Sequence, residues 1–371
     1  MQKVVRQSNL ELLRIVAMLL IVAHHSIVNS GVNELFDFSE MPSARQMFCQ
    51  WFGMWGKMAI NIFVLFSGYF MCKSRLTLGR ALKLFLEVQF YAISLFVVLW
   101  LLGYESISVK RVFSLLNWFP MGINKSFTSS FLLFYLFIPF YNDLISALDS
   151  RRMLILTLGL VLSFVIPFTF FGNHGVFCWS LWYVAIYFTG AYVRLYPSSW
   201  MSRNRICVPL LSLFLCGTIS GVWIYSWNMS HSCGLPLKIV STFFGIAESC
   251  SLTAWVLGLL FFLVFKNLKM PYIPFINAVA STTFGVLLIH TAGDSMRQLI
   301  WGSVVDVIGH YQDIDCCYEL YMVVAVVGVF VLCSVLDYVR IVLFERPFFR
   351  WFDGFRNLKT SQPRNPETLK P

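Results

Sequence analysis

Residues 9–30 read NLELLRIVAMLLIVAHHSIVNS, an apolar run long enough to cross a bilayer that nevertheless carries Glu11, Arg14, His24 and His25. A charged side chain at the centre of a membrane helix costs roughly 2.5–3.5 kcal/mol on insertion scales, so ionisable groups kept there need a function and a partner. Their spacing narrows the choice. Eleven positions separate Arg14 from His25, which at about 100° per residue is within about 20° of whole turns, with an axial rise of roughly 16 Å. The two therefore share one stripe, half a bilayer apart. His24 is expected to point about 100° away, and Glu11, three residues before Arg14, is close enough to pair with it. A plainer reading stays open: Arg14 snorkels to the headgroups beside Glu11, and His25 is a polar contact between helices.

The rest of the chain agrees with a membrane setting. Its 371 residues are 58% hydrophobic and 12% charged, with a mean hydropathy of +0.71, which excludes a soluble domain of this length. The aromatic share of 17% suits lipid-facing helices with interfacial belts. A net charge of +10 would suggest nucleic acid in a soluble chain; here its distribution is what matters, and no nucleic-acid partner is expected. The ten cysteines include no CxxC pair and no His/Cys cluster at metal spacing, so most read as small packing residues, one outer-face bridge stays open, and no metal is implied. The N-terminus resembles a secretory signal, with Lys3 and Arg6 ahead of the apolar run and Val28 and Ser30 near its end. Because Arg14 interrupts that run and cleavage would remove the polar stripe, the segment is expected to stay.

Runs of about 20 apolar residues predict about ten transmembrane helices, near 9–30, 50–72, 81–103, 128–148, 153–171, 179–196, 206–227, 241–265, 275–298 and 320–344. Of the 28 Lys and Arg, only Arg45, Lys57, Lys110, Arg111, Lys125, Lys238 and Arg297 fall on the outer side of that arrangement. The positive-inside rule then predicts both termini in the cytoplasm. The expected organisation is an all-α, polytopic membrane protein with one transmembrane domain over 1–350 and a polar, disordered cytoplasmic tail over 351–371. None of the outer loops is large enough to be a folded domain. The absence of an internal repeat weighs against transporters built from duplicated halves.

The Arg14 and His25 spacing, together with Asn61 and Ser67-Gly68-Tyr69 in GKMAINIFVLFSGYF (56–70), resembles the acyltransferase 3 family of integral membrane proteins. The segments 127–145, 180–196, STTFGVLLIH (281–290) and FERPFF (344–349) are similar to recurrent family segments in the same order. The resemblance implies an O-acyltransferase of the cytoplasmic, or inner, cell membrane. Its co-substrate would be acetyl-CoA or another acyl-CoA taken from the cytoplasm, with no permanently bound cofactor. Its acceptor would be a hydroxyl of an extracytoplasmic polysaccharide or lipid-linked glycan.

That chemistry gives the stripe a purpose. A sugar hydroxyl must lose its proton as it attacks a thioester carbonyl, and a neutral imidazole is suited to take it near pH 7, which makes His25 the catalytic base; transient acylation of His25 is the other route. Arg14 would bind donor phosphates or orient the thioester end. Gly68 permits close helix approach and the Ser67 and Tyr69 hydroxyls can donate hydrogen bonds, although helix packing alone explains them as well. Lys73, Arg75, Arg80 and Lys83, in KSRLTLGRALK (73–83), stand where acyl-CoA phosphates would approach, with Arg75, Arg80 and Lys83 as the donor-binding candidates, and a basic inner loop is also what topology demands. The family's paired arginines are replaced here by Arg80 and Lys83. His290 is read as acceptor-binding or as a packed histidine. Glu87 and Glu248 are expected in structural pairs, and His174, His231 and His310 in solvated loops. The alternative function is a proton-coupled transporter of glycans or small anions that uses Arg14 and His25.

Overall fold

The computed structural model of the chain describes residues 6–352 apart from 38–39, 124, 173–174, 176, 232–247 and 316. Among these residues there are helices and no strands. In order they are α1 (Ser8–Val28), α2 (Ala44–Gly53), α3 (Gly56–Met71), α4 (Leu78–Leu101), α5 (Val109–Leu116), α6 (Trp118–Gly122), α7 (Phe127–Leu136), α8 (Ile138–Ser146), α9 (Ser150–Phe171), α10 (Trp179–Leu195), α11 (Asn204–His231), α12 (Leu252–Lys266), α13 (Pro274–Ala280), α14 (Thr283–His290), α15 (Asp294–Arg297), α16 (Val307–Gln312) and α17 (Tyr318–Arg340). Several begin where a short polar side chain closes the first turn. Ser43, Ser126, Asp149 and Ser251 each accept from the backbone N–H three residues on, ahead of α2, α7, α9 and α12.

A helix or helix pair lies at each of the ten predicted spans. Six are long and apolar enough to cross a membrane, or up to eight if each bent pair counts as one span. The difference from ten has local causes. The span at 128–148 is bent by 49° between α7 and α8, where Pro139 starts a new helix. The span at 275–298 turns by 103° between α14 and α15; there Gly293 has φ +131°, which a side chain would resist. Helix α10 has 17 residues and α12 has 15, and the first part of the span at 241–265 lies outside the described residues. Long apolar faces are left outward, as at Ile93, Val97 and Leu101 of α4 and Leu320, Val324, Val331 and Val335 of α17. In water such stripes would be a liability; in a bilayer they are the lipid contact of a multi-pass membrane protein.

Helix α1 is the axis, packed against α2, α3, α12, α13, α14 and α17. Its buried face includes Leu10, Leu13, Ala17, Met18, Ile21 and Val22. The tightest crossing is that of α3 with α10. A Cβ on Gly68 would strike the Tyr187 carbonyl, and one on Gly190 the Leu65 carbonyl, so the two glycines let the backbones touch. The cysteines described, Cys49, Cys72, Cys178, Cys207, Cys216, Cys250, Cys317 and Cys333, form no disulfide. His174, the His231 side chain and the tail from 353 on lie outside the described residues. His310 is not simply solvated, since its ring stacks on Tyr321 at 3.9 Å.

Candidate active site

A cavity of about 990 Å³ runs along α1, and its wall includes both Arg14 and His25. It also reaches the two ends of the helix, with Arg6 at the end where α1 begins, here called proximal, and Val28 and Asn29 at the distal end. The shared stripe therefore borders a passage. Between its two charged landmarks much of the wall is apolar, with Met18, Ile21, Ile60, Phe63, Phe284 and Leu287, while Glu87 and Arg340 also line it.

The deepest polar feature is a histidine pair. His25 Nδ1 lies 2.9 Å from His290 Nε2, and His290 Nδ1 lies 2.5 Å from the Val286 carbonyl oxygen. The carbonyl only accepts, so His290 Nδ1 carries the proton. In a neutral ring its Nε2 then accepts, and His25 Nδ1–H donates to it. This assigns the remaining lone pair of His25 to Nε2, which is used by no hydrogen bond among the described residues. His290 is fully buried and is not on the cavity wall. It stands behind His25, so a direct acceptor contact does not fit it.

His24 departs from the expectation that it points away. It lines the same cavity as His25, and its Nδ1–H donates to the Gly53 carbonyl at 2.5 Å. A Cβ on Gly56 would overlap the His24 ring, so the start of α3 needs glycine to lie against it. Arg14 pairs with Glu11 at 3.1 Å, and its guanidinium lies over the Phe66 ring, 5.9 Å from the centroid. Ser67 joins the wall. Gly68 serves the crossing with α10, and the Tyr69 hydroxyl accepts from Arg194 Nη1 at 3.0 Å. Asn61 is buried off the cavity, donating to the Ser249 carbonyl at 2.7 Å and accepting from Trp182 Nε1 at 3.0 Å.

The four basic residues of the 73–83 stretch, Lys73, Arg75, Arg80 and Lys83, separate, and Lys73 is not on the wall. Arg75 and Arg80 are not on the wall, and Arg80 Nη1 donates to the Arg75 carbonyl at 3.3 Å. Lys83 is on the wall, bound to Glu345 at 2.6 Å. The other cations at the proximal end are Arg6, whose Nη1 donates to the Asn277 carbonyl at 3.0 Å, and Arg346, which lies over Tyr338.

Beside them Arg340 is held by three carboxylates, Asp337 at 2.7 Å, Glu87 at 2.8 Å and Glu345 at 3.1 Å. The Tyr91 hydroxyl donates to Asp337 Oδ1 at 2.6 Å. A π-helical turn over Ile341–Glu345 follows α17 and separates Arg340 from Glu345. A Cβ on Gly285 would collide with the Asp337 carboxylate, so α14 can approach this cluster only through glycine. Glu87 and Glu248 both have the expected pairs, the latter with Lys57 at 3.1 Å.

The sequence model of the acyltransferase 3 family, an acyltransferase domain, matches residues 7–338, nearly the whole chain. The chain belongs to the acyltransferase 3 family. No curated protein and no solved structure matches it. In this acyltransferase an acyl donor and an acceptor have to meet, and the cavity beside His25 is roomy enough for groups from both. Among the described residues no group of His, Cys, Asp and Glu is arranged to hold a metal ion. Of the wall residues, Arg297, Lys57, Asn29 and Trp179 were not singled out by sequence as site residues. Their only common signal is polarity or an indole at the distal edge of a span, where belts and loops supply the same residues.

Proposed function

We propose that this acyltransferase is an O-acetyltransferase that moves the acetyl group of cytoplasmic acetyl-CoA to a hydroxyl of an extracytoplasmic or lipid-linked polysaccharide. The observation that carries the reading is the passage itself, with a guanidinium towards one end and an imidazole with an available lone pair deeper in the wall. In the reaction the acceptor hydroxyl gives its proton to His25 Nε2 as its oxygen attacks the thioester carbonyl. The new C–O bond forms, the C–S bond breaks, and the imidazolium returns the proton to the leaving thiolate, releasing free CoA. His290 fixes the His25 tautomer and accepts from the ring while it is charged, the orienting role of the third member of a triad. Arg14, with Arg6 and Arg346 at the proximal mouth, suits the phosphates of the donor. With the proximal end in the cytoplasm, as the positive-inside rule expects, the acyl group crosses within the protein.

The test is transfer of radiolabelled acetyl from acetyl-CoA to a polysaccharide acceptor by the purified protein. Transfer is expected from the wild type and none from His25→Ala. Uptake of acceptor into vesicles that needs His25 and no acyl-CoA would replace the reading with the transporter. Cell-surface glycan acetylation with and without the protein identifies the natural acceptor.

A further inference from the structure

The distal half of the cavity has a charge that acyl transfer to a neutral hydroxyl does not need. Lys57, Lys125 and Arg297 all stand on its wall, as does His25. The carboxylates on the wall, Glu87 and Glu345 among the described residues, are at the proximal end and are committed to Arg340. The acidic partners of the distal cations stand off the wall. Glu248 takes Lys57, and Asp294, almost wholly exposed, takes Arg297, where solvent screens the pair. Lys125 is exposed and has no ion pair among the described residues.

Two further side chains stand with the cations. Asn29 lines this half of the cavity; Asn29 Nδ2 and Arg297 Nε, closed off from open space, have no hydrogen-bond partner among the described residues. Trp179, also on the wall, offers an indole face beside Lys57, whose Nζ lies 5.4 Å from the ring centroid. An indole flanked by cations is suited to a sugar ring that carries negative charge.

We infer that the distal half of the cavity is a binding site for an anionic acceptor, a sugar bearing a carboxylate or a phosphate, held by Lys57, Lys125 and Arg297 beside Asn29. That the ligand is the acceptor rests on the acyl-transfer reading; that the site takes an anionic sugar does not. Such a group anchors the sugar next to His25 without touching the reacting hydroxyl, so the charge selects the substrate and the imidazole performs the chemistry.

Binding to the full-length detergent-purified protein, with no acyl donor present, tests this. Methyl glucuronide, glucose 1-phosphate and methyl glucoside are the probes. At least one anionic sugar is expected to bind about tenfold more tightly than the neutral one, an advantage that shrinks as salt is raised. The preferred arm distinguishes a carboxylate from a phosphate. Lys125→Gln, at an exposed position with no folding role, and Arg297→Gln are each expected to weaken the preferred probe about tenfold. Lys110→Gln, also exposed but off the wall, leaves it unchanged. His25→Ala abolishes transfer and leaves binding intact, so a preference for anionic sugars without any transfer would keep the site and refute the acyltransferase chemistry. Equal binding of all three probes, no binding of any, or indifference to both Lys125→Gln and Arg297→Gln overturns the inference.

Discussion

Replacing His290 with leucine removes the acceptor of the His25 Nδ1–H, now 2.9 Å away, without adding charge. The His25 ring then has nothing to fix its tautomer and nothing to share its proton when it becomes an imidazolium. A hydrogen bond to a charged group contributes about 1.5–3 kcal/mol. Each 1.4 kcal/mol, approximately, is tenfold in rate, so kcat is expected to fall about 10- to 100-fold. Because His290 is not on the cavity wall, the KM for acetyl-CoA should hold. His290→Gln, whose amide oxygen can accept from His25, should recover part of the rate. Acetyl transfer by the purified variants gives kcat and KM, with His25→Ala as the floor, and Tm reports whether each variant remains folded. A folded His290→Leu enzyme with wild-type kcat would reduce the imidazole pair to packing, and equal losses in the leucine and glutamine variants would remove the tautomer argument.

Arg340→Met strips the counter-charge from Glu87 and Asp337 at once and leaves Glu345 only Lys83; a loss of about 3–5 kcal/mol is expected, measured as a large fall in Tm. Gly68→Ala forces α3 and α10 apart at the Tyr187 carbonyl, an overpacking cost of about 1–3 kcal/mol that denaturation in detergent would register. Arg346→Gln should raise the KM for acetyl-CoA several-fold, whereas Arg75→Gln and Arg80→Gln, off the cavity, should leave it unchanged; the reverse order would return the donor site to the 73–83 loop. Arg14→Ala should raise the donor KM and Arg14→Lys should retain part of the affinity, and wild-type kinetics in Arg14→Ala would leave that residue only a topological anchor.

What the sequence reveals depends on how far apart the cooperating residues are along the chain. Arg14 and His25 sit on one helix, where a fixed rotation per residue places them on one stripe, and the cavity follows that stripe. Gly68 was legible for the same reason, as a small residue inside an apolar run. His24 shows the limit of that arithmetic: a cavity wide enough to cover about a third of a helix circumference takes in both neighbours, so an angle of about 100° does not exclude the wall. His290 is 265 positions from His25, and only the tertiary path of α14 makes them partners. The acidic cage around Arg340 likewise draws on α4, α17 and a π-helical turn, and no local pattern announces it. Arg75 and Arg80 were assigned to the donor because basic loops attract phosphates, yet the same loop is required by topology, and the loop's own backbone carbonyl takes up Arg80. The bend at 137 was missed because the apolar run continues across it, and the one at 291–293 because the span at 275–298 was drawn through the polar stretch that begins at His290; proline and glycine redirect the backbone there.

If the cavity carries the acyl group across the bilayer as proposed, it threatens to short-circuit whatever electrical gradient the membrane sustains. The apolar side chains of Met18, Ile21, Ile60, Phe63, Phe284 and Leu287 along its wall oppose that leak. A hydrated cation or proton chain gains nothing from them to replace its water, whereas an acyl group loses little by leaving it. Conductance across planar bilayers holding the protein should accordingly stay at background, and exchanging Phe63 for serine is the change that would let it leak.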